Sequence, residues 1–573
     1  MKRIYPNEKW CLGCHLCEYY CSFANSGCKD MVQALKDKKI FPRIRVEGDE
    51  RVTFALSCRH CSDPLCIKAC ISGALHKEDG AVMIDYDRCV GCQSCILACP
   101  FGAIVQGENG VIQKCELCLK NSTGAPACVL GCPNHALEYK ELAEPKKIKK
   151  ERSAHKMKDR KKARHYVILG NGAAAAGCIE GIRAADKKGK ITVVSAEKHP
   201  VYCRPLISYY LQGKTKRENL GYRPADFYET NNTQVLYGIR AEKIDPGKKA
   251  ALLDNGETLC YDALCVATGS SPFLPPTPGY ESVEKKFTFL TLDDALAIEA
   301  ALSPTARVLI VGAGLIGLKC AEGIRARVKS VTVCDLAPRV LSSILDEEAS
   351  EMVAARLKEN GIVLHLGTTA AQFSPHSAVL QSGEAVPFDL LIMAVGVRPN
   401  IALVKEAGGA VGRGITIDAF AKTSLADIYA AGDCTESLDI SAGNVKVMAL
   451  LPNAYLQGHA AGVNMAGGTE RFDCAVPMNA IGFFGLHTMT AGCKNEADVY
   501  IEKSADALKK LYCKDNHLIG FELVGKTDRA GIYTDLIRKR LPLDALDFES
   551  IKKSPNFFAF DANYRRNRLE SVV

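Results

Sequence analysis

The chain has 573 residues, enough for about three to five domains at roughly 100–200 residues each. With 47% hydrophobic and 24% charged residues it is neither a disordered polyelectrolyte nor a collagen-like fibre. The net charge of +8 is local: between Pro145 and His165 stand 11 Lys and Arg against Glu151 and Asp159, which leaves −1 for the rest and no argument for nucleic-acid binding.

Of the 27 cysteines, 17 precede residue 133. Met1–Pro6 is followed by no apolar signal region, and no stretch approaches the ~18 apolar residues of a membrane span. The expectation is a cytoplasmic chain away from membranes. There thiols stay reduced, and clustered cysteines bind metal instead of forming disulfides.

Four cysteine groups come first. They are Cys11, Cys14, Cys17 and Cys21; Cys58, Cys61, Cys66 and Cys70; Cys89, Cys92, Cys95 and Cys99; and Cys115, Cys118, Cys128 and Cys132. The first and third have the Cys-x2-Cys-x2-Cys-x3-Cys spacing of bacterial [4Fe–4S] ferredoxins, in which the fourth cysteine serves a different cluster. Four zinc sites would explain neither the compact triple nor the Cys-Pro ends at Cys99 and Cys132. Around the third group, "AVMIDYDRC" reads as a strand, "QSCILAC" as a short helix and "GAIV" as a returning strand.

Sixteen ligands imply four [4Fe–4S] clusters. The region resembles the four-cluster ferredoxin subunits of molybdopterin oxidoreductases and hydrogenases, through "CSDPLCIKAC" and "GAPACVLGCP". The opening "MKRIYPNEKWCLGCHLCEYYCSFANSG" resembles the ferredoxin-like subunit that works with carbon monoxide dehydrogenase. That resemblance implies four ligand sets: Cys11, Cys14, Cys17 with Cys132; Cys21 with Cys115, Cys118, Cys128; Cys58, Cys61, Cys66 with Cys99; and Cys70 with Cys89, Cys92, Cys95. Cys28 matches no ligand position.

After a basic linker at 145–164, "HYVILGNGAAAAG" is an apolar strand followed by Gly170, Gly172 and Ala175. Such glycines let the backbone approach a pyrophosphate at a helix N-terminus. The next strand leads to Glu197, an acid placed to meet a ribose. A second copy carries Gly312, Gly314 and Gly317, followed by Asp335, whose charge favours NAD(H) over NADP(H). Arg339 nearby softens that preference.

"YDALCVATGS", "FDLLIMAVGVRPN" and "TSLADIYAAGDC" complete a pattern similar to the NADH-dependent flavoproteins with two dinucleotide folds, over about 165–573. The resemblance implies that Asp433 binds the FAD ribityl chain, that Thr268, Gly269 and Gly432 approach FAD, and that Gly396 lies by NAD. "HPVYCRPLISYYLQG" resembles the flavin-side segment of rubredoxin reductases, with Arg204 and Pro205 at recurrent positions. Cys203 stands two residues short of the position of a reactive thiol and reads as packed. Cys260 and Cys265 read as a structural pair. Lys319 replaces a family Glu and admits two readings, a helix-packing lysine or a cation beside the flavin. His487 reads as a packed residue.

The expected architecture is multidomain: a ferredoxin-like α+β module with four clusters (1–144), the linker, a split FAD-binding Rossmann-like domain (165–280 and 400–470), a Rossmann-like NAD-binding domain (281–399) and an α+β interface domain (471–573) that makes a homodimer. The expected activity is FAD-dependent electron transfer between the clusters and NAD(H), from carbon monoxide dehydrogenase to NAD⁺. Reverse flow to rubredoxin, a hydrogenase or a reductase is the rival enzyme reading, and a non-enzymatic electron relay is the other.

Overall fold

The structure is a computed structural model describing residues 2–37, 42–107, 110–121, 124–141 and 164–570. The basic linker, Arg164 apart, lies outside the described residues. The chain forms two compact units: one of residues up to 141 with 479–481 and 487–570, the other of 164–478 with 482–486.

The first unit begins with a cysteine-rich half built from short hairpins. Lys2–Pro6 pairs antiparallel with Leu137–Glu141, so the two ends of this half close on each other. Three further hairpins join Ile44–Gly48 to Thr53–Ser57, Leu75–Glu78 to Ala81–Ile84, and Ile104–Gln106 to Ile112–Lys114. The short helices Leu16–Ala24, Leu65–Lys68, Ser94–Ala98 and Ala127–Leu130 each begin beside a cysteine loop. The core is unusual in that Cys17, Cys21, Cys58, Cys115 and Cys128 pack among Ile4, Ile44 and Leu137.

The C-terminal part of this unit belongs to a five-stranded sheet in the order Met478–Phe483, Leu486–Gly492, His517–Val524, Leu508–Lys514, Asp498–Lys503. The helices Gly531–Lys539, Phe548–Lys553 and Ala562–Glu570 follow it. Helix Gly531–Lys539 packs on Ser94–Ala98 of the cysteine-rich half. A Cβ on Gly531 would stand 2.2 Å from the Cys99 carbonyl oxygen, so the two backbones touch.

The second unit contains two five-stranded parallel sheets of matching design. One runs Thr233–Tyr237, Lys190–Ser195, His165–Leu169, Ala263–Val266, Ile428–Ala430. The other runs Lys286–Thr288, Leu390–Met393, Arg307–Val311, Ser330–Asp335, Ile362–Leu366. Parallel strands are buried on both faces, which is why "YVIL" and "VLIV" are unbroken apolar runs. Each sheet carries a three-stranded meander, Ala241–Cys260 in one and Ala370–Pro387 in the other, before the strand that returns to its centre. Ser270–Pro272 pairs with Val397–Pro399 and ties together the two chain crossings between the sheets.

Candidate functional site

The loops Cys11–Cys17 and Cys89–Cys95 have the same backbone. Gly13 and His15 take φ of 65° and 60°, and Gly91 and Gln93 take 69° and 62°. Two left-handed residues per loop curl the chain so that three thiols face one side. Backbone N–H groups then point at sulfur: Arg43 N lies 3.2 Å from Cys21 Sγ, Ala136 N 3.2 Å from Cys132 Sγ, and Leu117 N 3.4 Å from Cys115 Sγ. Such bonds stabilise thiolates and help set cluster potentials.

Cys11, Cys14, Cys17 and Cys132 line one hollow, with Trp10 and Leu12 at its rim. Cys128 lies beside Cys21, Cys115 and Cys118. Cys66 lies beside Cys58, Cys61 and Cys99. Cys95 lies beside Cys70, Cys89 and Cys92. The four foursomes also adjoin in succession as a chain of neighbours, with Cys17 near Cys128, Cys58 near Cys115 and Cys66 near Cys95. Cys14 is exposed at one end of it.

Burial pushes the Cys61 and Cys115 thiols up to about 12, and neighbouring thiols add to it. A cationic metal reverses that penalty by taking the thiolate. Among the described residues no three His, Cys, Asp or Glu side chains close up as tightly as one ion requires. A cubane spreads its irons over four corners, so its thiolates stand further apart than those around one zinc at ~2.3 Å. Four all-cysteine foursomes with backbone N–H groups aimed at their sulfurs fit iron–sulfur clusters. Cys28 stands outside all four foursomes; its N–H is taken by Ser26 Oγ at 2.9 Å.

In the second unit, Gly170 (φ 109°) and Gly312 (φ 120°) sit where a Cβ would fall 2.1 Å from Ala267 O and 2.2 Å from Ala394 O. Next to them, Gly172 and Gly314 face open space, with nothing within 4 Å of a Cβ. The helices Ala173–Ala185 and Leu315–Ile324 start there without a side-chain cap, unlike Leu292–Ala301 and Glu347–Glu359. Bare N-terminal N–H groups above an open cradle fit a pyrophosphate. Ala175 is buried, and a Cβ on Gly317 would stand 2.0 Å from Gly312 O. Gly269 and Gly396 also face open space.

Asp335 accepts hydrogen bonds from Ala313 N at 2.5 Å and Ala337 N at 2.7 Å, which holds its carboxylate at the mouth of the second glycine loop. Glu197 is already engaged: Tyr202 Oη donates to it at 2.6 Å and Arg204 pairs with it at 2.5 Å. Arg204 also reaches Leu290 O at 2.9 Å and lies near Asp433. Burial lifts Asp433 to about 6, with Arg204 opposing the rise. Pro205 opens the helix Leu206–Leu211. Arg339 is partly buried.

Two positioning residues escaped the sequence reading. Asn400 clasps Thr268, donating from Nδ2 to its carbonyl at 2.9 Å and accepting from its hydroxyl at 3.1 Å. Gln457 Oε1 accepts from Gly432 N at 2.6 Å and from Thr435 Oγ1 at 2.9 Å. Asn400 ends the "VRPN" run, whereas Gln457 carries no local signal.

Lys319 pairs with Glu322, donates to Gly482 O at 3.2 Å and lies 4.5 Å over the Tyr209 ring. Cys203 is fully buried. Cys260 is exposed while Cys265 is buried against Cys178, so these two do not form a pair. His487 lies partly buried in its strand.

Two dinucleotide folds and a cysteine-rich ferredoxin module in one chain define an iron–sulfur, FAD-dependent NAD(H) oxidoreductase. Residues 164–458 match the pyridine nucleotide-disulphide oxidoreductase model, and residues 50–142 match a 4Fe-4S dicluster domain. The chain belongs to the pyridine nucleotide-disulphide oxidoreductase family. It is 29% identical to the NADH-dependent phenylglyoxylate dehydrogenase subunit epsilon of Aromatoleum evansii, over 66% of this chain and 93% of that one. It is 31% identical to an NADH oxidase of Methanocaldococcus jannaschii, over 63% and 87%. The covalent putidaredoxin reductase–putidaredoxin complex superposes with a TM-score of 0.63 at 26% identity, over 71% of this chain and 98% of that chain. Among the described residues no helix is long and apolar enough to cross a membrane.

Proposed function

We propose that the chain takes low-potential electrons one at a time into four [4Fe–4S] clusters and delivers them through FAD to NAD⁺, with carbon monoxide dehydrogenase as the donor. The observation that carries this reading is the succession of four cysteine foursomes ending at exposed Cys14, in one chain with two open glycine cradles. The donor assignment rests on the likeness of residues 1–27 to the subunit that serves that dehydrogenase. The A. evansii relative, named as a subunit of an NADH-dependent dehydrogenase, supports a role beside a separate catalytic partner.

In this reading residues 1–144 hold the clusters, 165–280 with 400–470 hold FAD, and 281–399 hold NAD(H). Bound FAD supplies the conversion between single electrons and hydride. Gly170, Gly172 and Ala175 seat its pyrophosphate and Asp433 its ribityl chain, with Thr268, Gly269 and Gly432 alongside. Glu197 is held by Arg204 and Tyr202 for the ribose. Gly312, Gly314, Gly317 and Asp335 orient NAD(H), with Gly396 beside it. Electrons enter at the Cys14 end, where Trp10 and Leu12 are exposed beside the thiols.

The test is NADH formation at 340 nm under carbon monoxide, with the dehydrogenase present. Full-length protein should support it, and protein lacking residues 1–140 should keep only flavin reduction by NADH. Undiminished activity in the truncated protein would refute the cluster route. Absence of activity in fully loaded full-length protein would refute the donor.

A further inference from the structure

Three arginines act on the foursome Cys58, Cys61, Cys66 and Cys99, whereas Arg43 and Lys114 act on Cys21 and Cys115 of its neighbour. Arg59 lies against Cys58 and Cys61, with its guanidinium donating to Ile4 O at 2.6 Å and to Leu569 O. Arg529 is buried, and its charge acts on Cys99. A Cβ on Gly102 would stand 2.6 Å from Arg529 Nε, so this side chain presses on the turn that follows Cys99. Its Nε is buried with no hydrogen-bond partner. Arg568, 5.0 Å over the Phe101 ring, acts on Cys61, and its carboxylate neighbour Asp535 is 3.6 Å away. By contrast, burial and neighbouring thiols dominate at Cys95.

Arg529 and Arg568 both come from the C-terminal segment, which is seated firmly on the cysteine loops. Thr527 Oγ1 donates to Gln93 Oε1 at 2.7 Å, and Gly531 meets the Cys99 carbonyl. Glu47 pairs with Arg529 through one oxygen. Its other oxygen is held by Phe557 N at 2.7 Å and Phe558 N at 3.2 Å. The pair therefore presents its positive end to Cys99.

We propose that residues 527–568 complete the metal site at Cys58, Cys61, Cys66 and Cys99, with Arg529 and Arg568 setting its reduction potential; this rests on the four-cluster reading above. Reduction adds one negative charge to the site. Burial disfavours that charge, and a guanidinium at short range in a low-dielectric setting favours it. Cluster charge and surroundings set potentials over a wide range. The cationic collar raises the potential of this centre, third in succession from Cys14, above the value that burial alone would set. The C-terminal segment then sets the potential of one centre in the electron path.

The experiment is an EPR-monitored redox titration of anaerobic full-length protein beside Arg568→Gln, Arg568→Lys and the double variant Glu47→Gln/Arg529→Gln. The double variant removes both charges and leaves no buried carboxylate unpaired. One midpoint should move to more negative potential in Arg568→Gln and in the double variant while the others hold, with iron and FAD contents unchanged. Arg568→Lys should keep the original midpoint. If the double variant fails to fold, Arg568→Gln decides. Unmoved midpoints, or an equal shift of all four, with iron retained would overturn the inference. Eight irons or fewer in the fully loaded unmodified protein would instead overturn the four-cluster reading.

Discussion

Replacing Gly458 and Gly462 together by Ala should destabilise the second unit, although it improves the intrinsic preference of their helix. Helices Ala173–Ala185 and Leu451–Met465 cross through two glycines each, Gly177 and Gly181 facing Gly458 and Gly462. A Cβ on Gly458 would stand 2.0 Å from Ala174 O, and one on Gly462 would stand 2.1 Å from Cys178 O. Both obstacles are backbone, so no side-chain rotation relieves them and the helices must part by on the order of an ångström. Overpacking of this kind costs about 1–3 kcal/mol per site, toward the upper end where backbone must move. The helix-propensity gain from Gly to Ala is about 1 kcal/mol per site. The two effects have opposite signs, and the net expectation is about 2 kcal/mol of destabilisation or more, a fall of roughly 3 °C in melting temperature for a unit of about 320 residues. The shifted helix also carries the Gly170–Gly172 loop, so flavin should leave at lower temperature. Circular dichroism melting with flavin fluorescence in the same scan measures both. An unchanged or raised melting temperature would refute the close crossing.

Other outcomes follow from the same geometry. Asp335→Asn should narrow the preference for NADH over NADPH, because it keeps an acceptor for Ala313 N but removes the charge that meets a 2′-phosphate; equal kcat/KM for the two nucleotides in unmodified protein would contradict this. Asp433 has its carboxyl lifted from 3.8 to about 6 in the FAD-free chain. Its stabilising contribution is therefore complete below pH 4 and lost as pH rises through about 6. Asp433→Asn should accordingly stabilise FAD-free protein at pH 7–8 and have no such effect below pH 4, read from melting curves across pH. Cys203→Ser should retain most NADH:dye reductase activity, since this thiol is fully buried; a ~100-fold loss with FAD still bound would assign it a chemical role.

What the sequence determined by itself was local chemistry. A loop with cysteines at every third position must wrap a compact ligand, and Gly-x-Gly between an apolar strand and a helix must bring backbone up to a phosphate; each signal needs fewer than about 15 consecutive residues. The repeated left-handed pairs Gly13/His15 and Gly91/Gln93 are the backbone counterpart of that spacing. The grouping of the sixteen cysteines came from family resemblance, because spacing does not say which distant cysteine joins which loop. The tertiary structure places Cys132 beside Cys11, and Cys99 beside Cys58. It also decided matters with no local signature: Gln457 holding Gly432, Arg204 shared between Glu197 and Asp433, and Cys265 turned away from Cys260 toward Cys178. The docking of residues 527–568 on the cysteine loops is the clearest case. Glu47 and Arg529 are each ordinary residues in sequence, and only burial on both sides, in a place neither could occupy unpaired, makes them a structural unit.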